Sequence, residues 1–441
     1  MKKIKYVLIF IATLVVLFVA SLIATMDLHS RYVEAAVNRV QSGGSDITVK
    51  EHDNDSSLFS LNKVYTVSLF DKAASFSIYV NTSFLPFMEK NEVWIRDFHG
   101  SFFSCDGCNF RDMVVEGYFN VNYFSNSYDG ELQMSSFDTR INKNFLTVSG
   151  FSSNIYGSFA DRILHVGAKL DRIDAGNEDL KTSTTIKRIV GDLNVKFRDG
   201  VALVATKLLQ PVKSSAGESR DQSYISIGQY SFTNRSTGVK VGAENVNLSF
   251  DSQPGLYDPN KVDITQNIQA KSFKYDNPDL NTDLNLKRSD INLNVRNATQ
   301  HYWVEFARII GNFIALGKGS ASKFDYDVMK DLQKNGTRID IDRLQLVTDA
   351  SAGIFRIKKG SYIAFDTSRN SNVKDGLDLS IDFNLNSNFI KDFPSGDDLK
   401  QMFLSRDWLL HGAMDSKDEY STKLTVRKGK CSLGENMLPD C

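Results

Sequence analysis

The residues with most chemical potential are the four cysteines. Cys105 and Cys108 frame a Cys-Asp-Gly-Cys tetrad, while Cys431 and Cys441 bracket a short loop holding Gly434 and Pro439. A redox dithiol needs a thiolate stabilised at a helix N-terminus, usually within a βαβ unit. The tetrad instead neighbours Phe102, Phe103 and Phe110 in a stretch of strand character with no helix following. Zinc needs further ligands, and no second pair stands at a suitable spacing. The tetrad therefore reads as a local disulfide in a turn between strands, with redox or metal chemistry the weaker alternatives. An even count at short spacings suggests two short-range disulfides, other pairings staying open. Such bridges fit an oxidising compartment.

The remaining chemistry-bearing residue types are scattered. The six histidines (His29, His52, His99, His165, His301 and His411) stand singly, with no His-x-x-x-His and no Glu-adjacent histidine pair among them. Asp340 and Asp342 share one face of an alternating segment with Ile339 and Ile341 between and beside them. Paired acids suit acid–base work, but a polar strand face explains the pair as well. Gly317-Lys-Gly-Ser320 lacks the spacing of a phosphate loop. The Asn-x-Ser/Thr tripeptides at Asn234 and Asn335 are what an Asn-rich chain produces by chance. No catalytic residue, cofactor site or metal site is expected, and the chain reads as non-enzymatic.

Composition and the N-terminus set the stage for these residues. The chain has 441 residues, 52 basic and 53 acidic side chains, so nothing electrostatic favours nucleic acid. Lys2, Lys3 and Lys5 precede an uncharged run from Tyr6 to Met26, and Asp27 comes directly after it. A run of that length crosses about 30 Å of hydrocarbon as a helix. Positive charge before it keeps residues 1–5 in the cytoplasm and sends the chain beyond Asp27 across the membrane. A cleaved signal peptide is the rival, but its apolar region is shorter, and the best small-x-small site (Val19, Ser21) lies inside this run. The expectation is a single-pass anchor with the rest of the chain outside the cytoplasm.

Residues 27–42 then read as a helical neck. Leu28, Tyr32, Ala35, Ala36 and Val40 share a face, and Ser42-Gly43-Gly44 stops it. From 43 onward the apolar period is two, as at Ile47 and Val49, and at Phe76, Ile78 and Val80. The clearest run is Leu377, Leu379, Ile381, Phe383 and Leu385. Such alternation places one face on a core and the other in water, as in antiparallel sheets. A weak internal repeat runs over 160–298, with units opening at Ile163, Ile225 and Ile268, the spacing of a meander rather than of a true duplication. Helical stripes interrupt it at Tyr302–Leu316, Phe324–Lys334 and Asp397–Leu404, the second stopped by Asn335-Gly336. The fold expected is mainly β: an elongated, curved antiparallel meander with a few covering helices after one transmembrane helix. It divides into 43–298 and a continuous 299–441 region.

The C-terminal residues carry a resemblance. Asp407-Trp-Leu-Leu-His-Gly-Ala-Met leads to Tyr420-Ser-Thr-Lys-Leu-Thr-Val-Arg-Lys-Gly-Lys430, then Leu433-Gly-Glu-Asn-Met-Leu-Pro439. This resembles the closing strands of the bacterial YdgA-like family of envelope proteins. The helix at 302–316, the Asn335-Gly336 stop and the strand segments Ile339–Leu346 and Gly353–Phe365 look like that family's C-terminal third. The two cysteine pairs, and Glu435-Asn436 where the family has Asn-Gly, depart from its pattern. The resemblance implies an inner-membrane-anchored periplasmic protein and carries over no catalytic residue. In outline the chain also resembles the AsmA-like lipid-transfer proteins. Two roles are expected from this: a scaffold or interaction protein, or handling of lipid along an open apolar groove. The partners expected are the inner membrane, with envelope proteins or lipid beyond it.

Overall fold

The computed structural model describes residues 15–31, 33–34, 47–57, 59–69, 74–99, 113–134, 136–141, 143–158, 161, 163–196, 221–254, 261–280, 282–298, 332–365, 376–392, 419–427, 429–434 and 436–438. They form mainly strands in a large antiparallel meander. Two compact units result: Met1–Asp171 with Asp192–Gln210, and Arg172–Gly191 with Pro211–Cys441.

The first unit opens with helix α1 (15–31). Its strands are β1 (Ile47–Ser56), β2 (Ser60–Leu69), β3 (Ala74–Leu85), β4 (Met88–His99), β5 (Val115–Asn122), β6 (Ser127–Met134), β7 (Phe137–Ile141), β8 (Asn144–Ser149) and β9 (Phe151–Ser158), then the start of β10 (Ile163–Asn177). Each pairs antiparallel with its sequence neighbour from β1 to β6; β6 then pairs with β9, and the β7–β8 hairpin is an excursion between them. β9 pairs with β10, where Leu164 is buried among Tyr128, Ile155, Val166 and Leu193.

The second unit takes the end of β10 and most of β11 (Thr182–Lys196), then β12 (Asp221–Asn234), β13 (Lys240–Pro254), β14 (Val262–Ala270), β15 (Ser272–Asn277), β16 (Thr282–Ala298) and β17 (Arg338–Thr348). It closes with β18 (Ile354–Ile357), β19 (Ser361–Phe365), β20 (Leu377–Asn386), α2 (Ser387–Asp392), β21 (Glu419–Arg427), β22 (Lys430–Leu433) and β23 (Asn436–Leu438). β14 and β15 occupy one lane between β13 and β16, and β18 and β19 one lane between β17 and β20. The alternation over Leu377–Leu385 is realised as β20, with Leu379 in one apolar cluster and Leu385 in another beside Phe389 and Ile390 of α2.

A line of backbone irregularities crosses this unit. Arg188 and Asn245 have left-handed φ (56° and 48°), Lys271 separates β14 from β15, and β16 slips register against β17 between Leu286 and Arg288. At the line the apolar phase changes. In β13 the buried residues are Ala243 on one side of the line, then Leu248 and Phe250 on the other; in β16 the buried apolar residues that flank it are Leu286 on one side and Val295 on the other. Those spacings are odd, so without an irregularity the two sets would face opposite ways. Gly228 lies on the same line because a Cβ there would sit 2.6 Å from Arg188 Nε and 2.9 Å from its Cβ.

The Asn335-Gly336 stop expected from sequence is present: 332–335 form a helical turn with Leu332 buried, Gly336 has φ 63°, and Thr337 N donates to Leu332 O at 3.0 Å. The stripes at 302–316 and 397–404 lie outside the described residues, as do 6–14 of the apolar run. Among the described residues, no helix is long and apolar enough to cross a membrane. The helix runs on without a break from 15 to 31, with a buried stripe of Leu22, Thr25 and His29. Of the face expected for the neck only Leu28 is described, and it is half-buried; Tyr32, Ala35, Ala36 and Val40 lie outside the described residues.

Candidate functional site: a helix clasped to three loop tips

Polar residues fix α1 to the first unit. Leu22, Thr25 and His29 succeed each other by three and four, the spacing that stacks side chains on one helix face. Thr25 Oγ1 accepts a hydrogen bond from Phe87 N at 2.8 Å and lies 3.3 Å from Leu85 O, at the turn joining β3 to β4. One helical turn later His29 Nδ1 meets Glu89 Oε2 at 2.8 Å, with both side chains under a tenth exposed. The His29 ring also meets the Phe84 ring edge-on at 5.4 Å.

Glu89 is the centre of a buried network. Tyr123 Oη donates to the same Oε2 at 3.0 Å, and Asn91 Nδ2 lies 3.3 Å from Oε1. Asn91 in turn donates to Phe119 O at 2.8 Å and accepts from Thr82 Oγ1 at 2.6 Å. A buried carboxylate is tolerated only when donors surround it, and here three side chains supply them. Burial first, then the charges of Glu51 and Glu89, push the Tyr65 phenol well above its ordinary value. His29 Nε2 is buried without a hydrogen-bond partner.

Neighbouring backbone bonds bring the tips together. Phe84 N donates to Phe59 O and Tyr123 N to Phe87 O, both at 2.8 Å. The β1–β2, β3–β4 and β5–β6 connections therefore lie side by side, with α1 held against them. A histidine–carboxylate pair can move protons, but this one is closed off from solvent on both partners. It acts as a clasp.

Several other titratable groups are committed to internal pairs as well. Asp340 makes ion pairs with Arg296 at 3.1 Å and Arg338 at 2.7 Å, and Asp342 accepts from Asn294. The two carboxylates thus lie on one strand face, but within a network rather than bare in water. Buried Asp290 sits between Arg288 and Arg343 at 3.1 and 3.2 Å, a cluster that sequence reasoning missed because β16 and β17 supply it jointly. His52 bonds to Thr66 and His165 stacks on Tyr156. Among the described residues no group of three or more His, Cys, Asp or Glu could hold a metal. Cys431 is buried and disulfide-bonded; Cys105, Cys108 and Cys441 lie outside the described residues. The His29–Glu89 pair was hidden from sequence reasoning by a separation of 60 residues.

No family model, no curated protein and no solved structure matches this chain.

Proposed function

We propose that the chain is a non-enzymatic cell-envelope protein, anchored by Tyr6–Met26 in the bacterial inner membrane, whose exported β units act as a scaffold for other envelope components. One observation carries this reading. Val15, Val16, Leu17 and Phe18 are consecutive, each 45–66% exposed, and four residues at 100° steps face every side of a helix. A helix apolar all round needs an apolar medium, whereas the same helix from Leu22 onward is gripped by protein. The resemblance to the YdgA-like family points the same way. So does the commitment of His29, Glu89, Asp290 and Asp340 to structural pairs, which suits a scaffold better than a reaction centre. The test is a fusion of alkaline phosphatase, active only outside the cytoplasm, to the C-terminus. Activity in whole cells is the expected result, and an inactive enzyme retained in the cytosol overturns the reading.

A second reading is favoured by one feature of the second unit. There Ile186, Tyr230 and Ala243 are buried, but the apolar side chains around them, Ile173, Ile227, Phe232, Val246 and Phe273 among them, are only partly covered. A half-covered apolar sheet face suits an acyl chain, as expected of AsmA-like proteins. Lipid mass spectrometry on the purified full chain separates the two: stoichiometric phospholipid surviving extensive washing supports lipid handling, and its absence supports the scaffold.

A further inference from the structure

We infer that the three loop tips beside α1 form an apolar rim that rests in the headgroup region of the bilayer and fixes how the first unit stands on the membrane. This rim rests on the anchored reading above and adds a second point of contact to it.

The tips expose what a soluble loop would hide. Phe124 in the β5–β6 turn is 85% exposed, and Phe59 and Phe87 in the other two connections, with Leu85 at the end of β3, are each about half exposed or nearly so. Loop tips are ordinarily polar, and Pro, Gly, Asn and Ser dominate them for conformational reasons. Here the conformational work is done by Asn122, whose Oδ1 accepts from Phe124 N and Ser125 N at 3.0 Å, and by Ser57, whose Oγ accepts from Ser60 N at 3.0 Å. The aromatic residues are not needed for the turns they occupy.

The direction of α1 says what covers them. His29 is bonded to Glu89, inside β4, and Thr25 to Phe87, at the turn. Going from His29 to Thr25 therefore moves toward the tips, and continuing to Phe18 and Val15 carries the helix on by about 10–15 Å at 1.5 Å per residue. The part that has passed the tips is the part exposed and apolar on every side. The medium that receives it is thus the medium the tips face. Aromatic and aliphatic side chains at such a boundary settle about 5–10 Å into the headgroup and acyl junction. Four of them, set on three rigid turns around the exit point of the helix, would resist tilting of the unit on its anchor.

The test uses the full chain carrying Phe124→Trp, reconstituted into phosphatidylethanolamine–phosphatidylglycerol vesicles with or without bromine on the upper acyl chain. The parent chain supplies the background of its three native tryptophans. The rim predicts that the added emission falls by roughly half in brominated lipid, since bromine quenches an indole at that depth. Equal added emission in both lipids, with the chain still resistant to alkaline carbonate extraction, overturns the rim and leaves the anchor standing. Extraction by carbonate overturns the anchored reading itself. Phe87→Trp is the second reporter should Phe124→Trp not reconstitute, read by the same two outcomes.

Discussion

Glu89 accepts from His29, Tyr123 and Asn91 in a buried setting, so its removal takes a buried acceptor from three side chains at once, of which Asn91 keeps its bond to Phe119 O. Each unsatisfied buried group costs about 1–3 kcal/mol, and Glu89→Ala should destabilise the first unit by about 3 kcal/mol or more. Glu89→Gln, which keeps an accepting oxygen, should lose less. Thermal melts of the two variants check the order, and equal melting temperatures for Glu89→Ala and the parent would refute it. Tyr128 offers a test at the alkaline end. Burial pushes its phenol up to about 12, and its hydroxyl donates to Ile163 O at 2.8 Å. The folded pKa lies above the unfolded value of about 10, so the linked stability is intact below pH ~10 and drains away as pH rises toward the folded pKa. Melts between pH 9 and 12 should show that slope in the parent and a shallower one in Tyr128→Phe.

At the scale of elements, the line through Arg188, Gly228, Asn245, Lys271 and Lys287 lets each strand keep its apolar side chains on the useful face. Asn245 holds φ 48°, a conformation that costs a β-carbon residue roughly 1–2 kcal/mol unless a short polar side chain or glycine relieves it. Asn245→Val should therefore lower the unfolding midpoint, and Asn245→Gly should leave it nearly unchanged. A comparable constraint sits where α2 meets the β17–β18 loop. A Cβ on Gly353 would lie 2.3 Å from Phe389 N, so Gly353→Ala must displace backbone and should cost more than 1 kcal/mol by denaturation. Beside it Asp392 accepts from Ser351 N at 2.9 Å and from the Ser351 and Thr348 hydroxyls. Burial tends to raise its pKa, but these hydrogen bonds outweigh burial and hold it below the ordinary value. Its stabilisation is present above that value, about 4, and is lost as pH falls through the folded pKa. These elements also show what the sequence could and could not tell. The period-two run at Leu377–Leu385 and the Asn335-Gly336 stop were legible because each depends on neighbours in sequence. The phase changes were not legible, since a left-handed Asn or Arg inside a strand leaves no compositional mark. The clasp was not legible at all. Thr25 and His29 interrupt the apolar pattern of their helix, and the reason they do so lies 60 residues away in β4 and its turn.

At the scale of the whole molecule, a helix that is apolar on all sides at 15–18 is joined to a β unit that grips its other end. The gripping residues are polar and buried, so the helix cannot swing freely on its neck without breaking the Glu89 network. On the proposed anchored reading, in which the first unit is seated on the bilayer through its anchor and its tips, the exposed apolar segment Val15–Phe18 would be shielded by lipid. The most direct measurement is labelling of Val16→Cys by a membrane-impermeant maleimide in intact bacterial membranes, then again after denaturation in detergent. An anchored helix predicts no modification in the membrane and full modification after denaturation. Rapid labelling of Val16→Cys in intact membranes would contradict it.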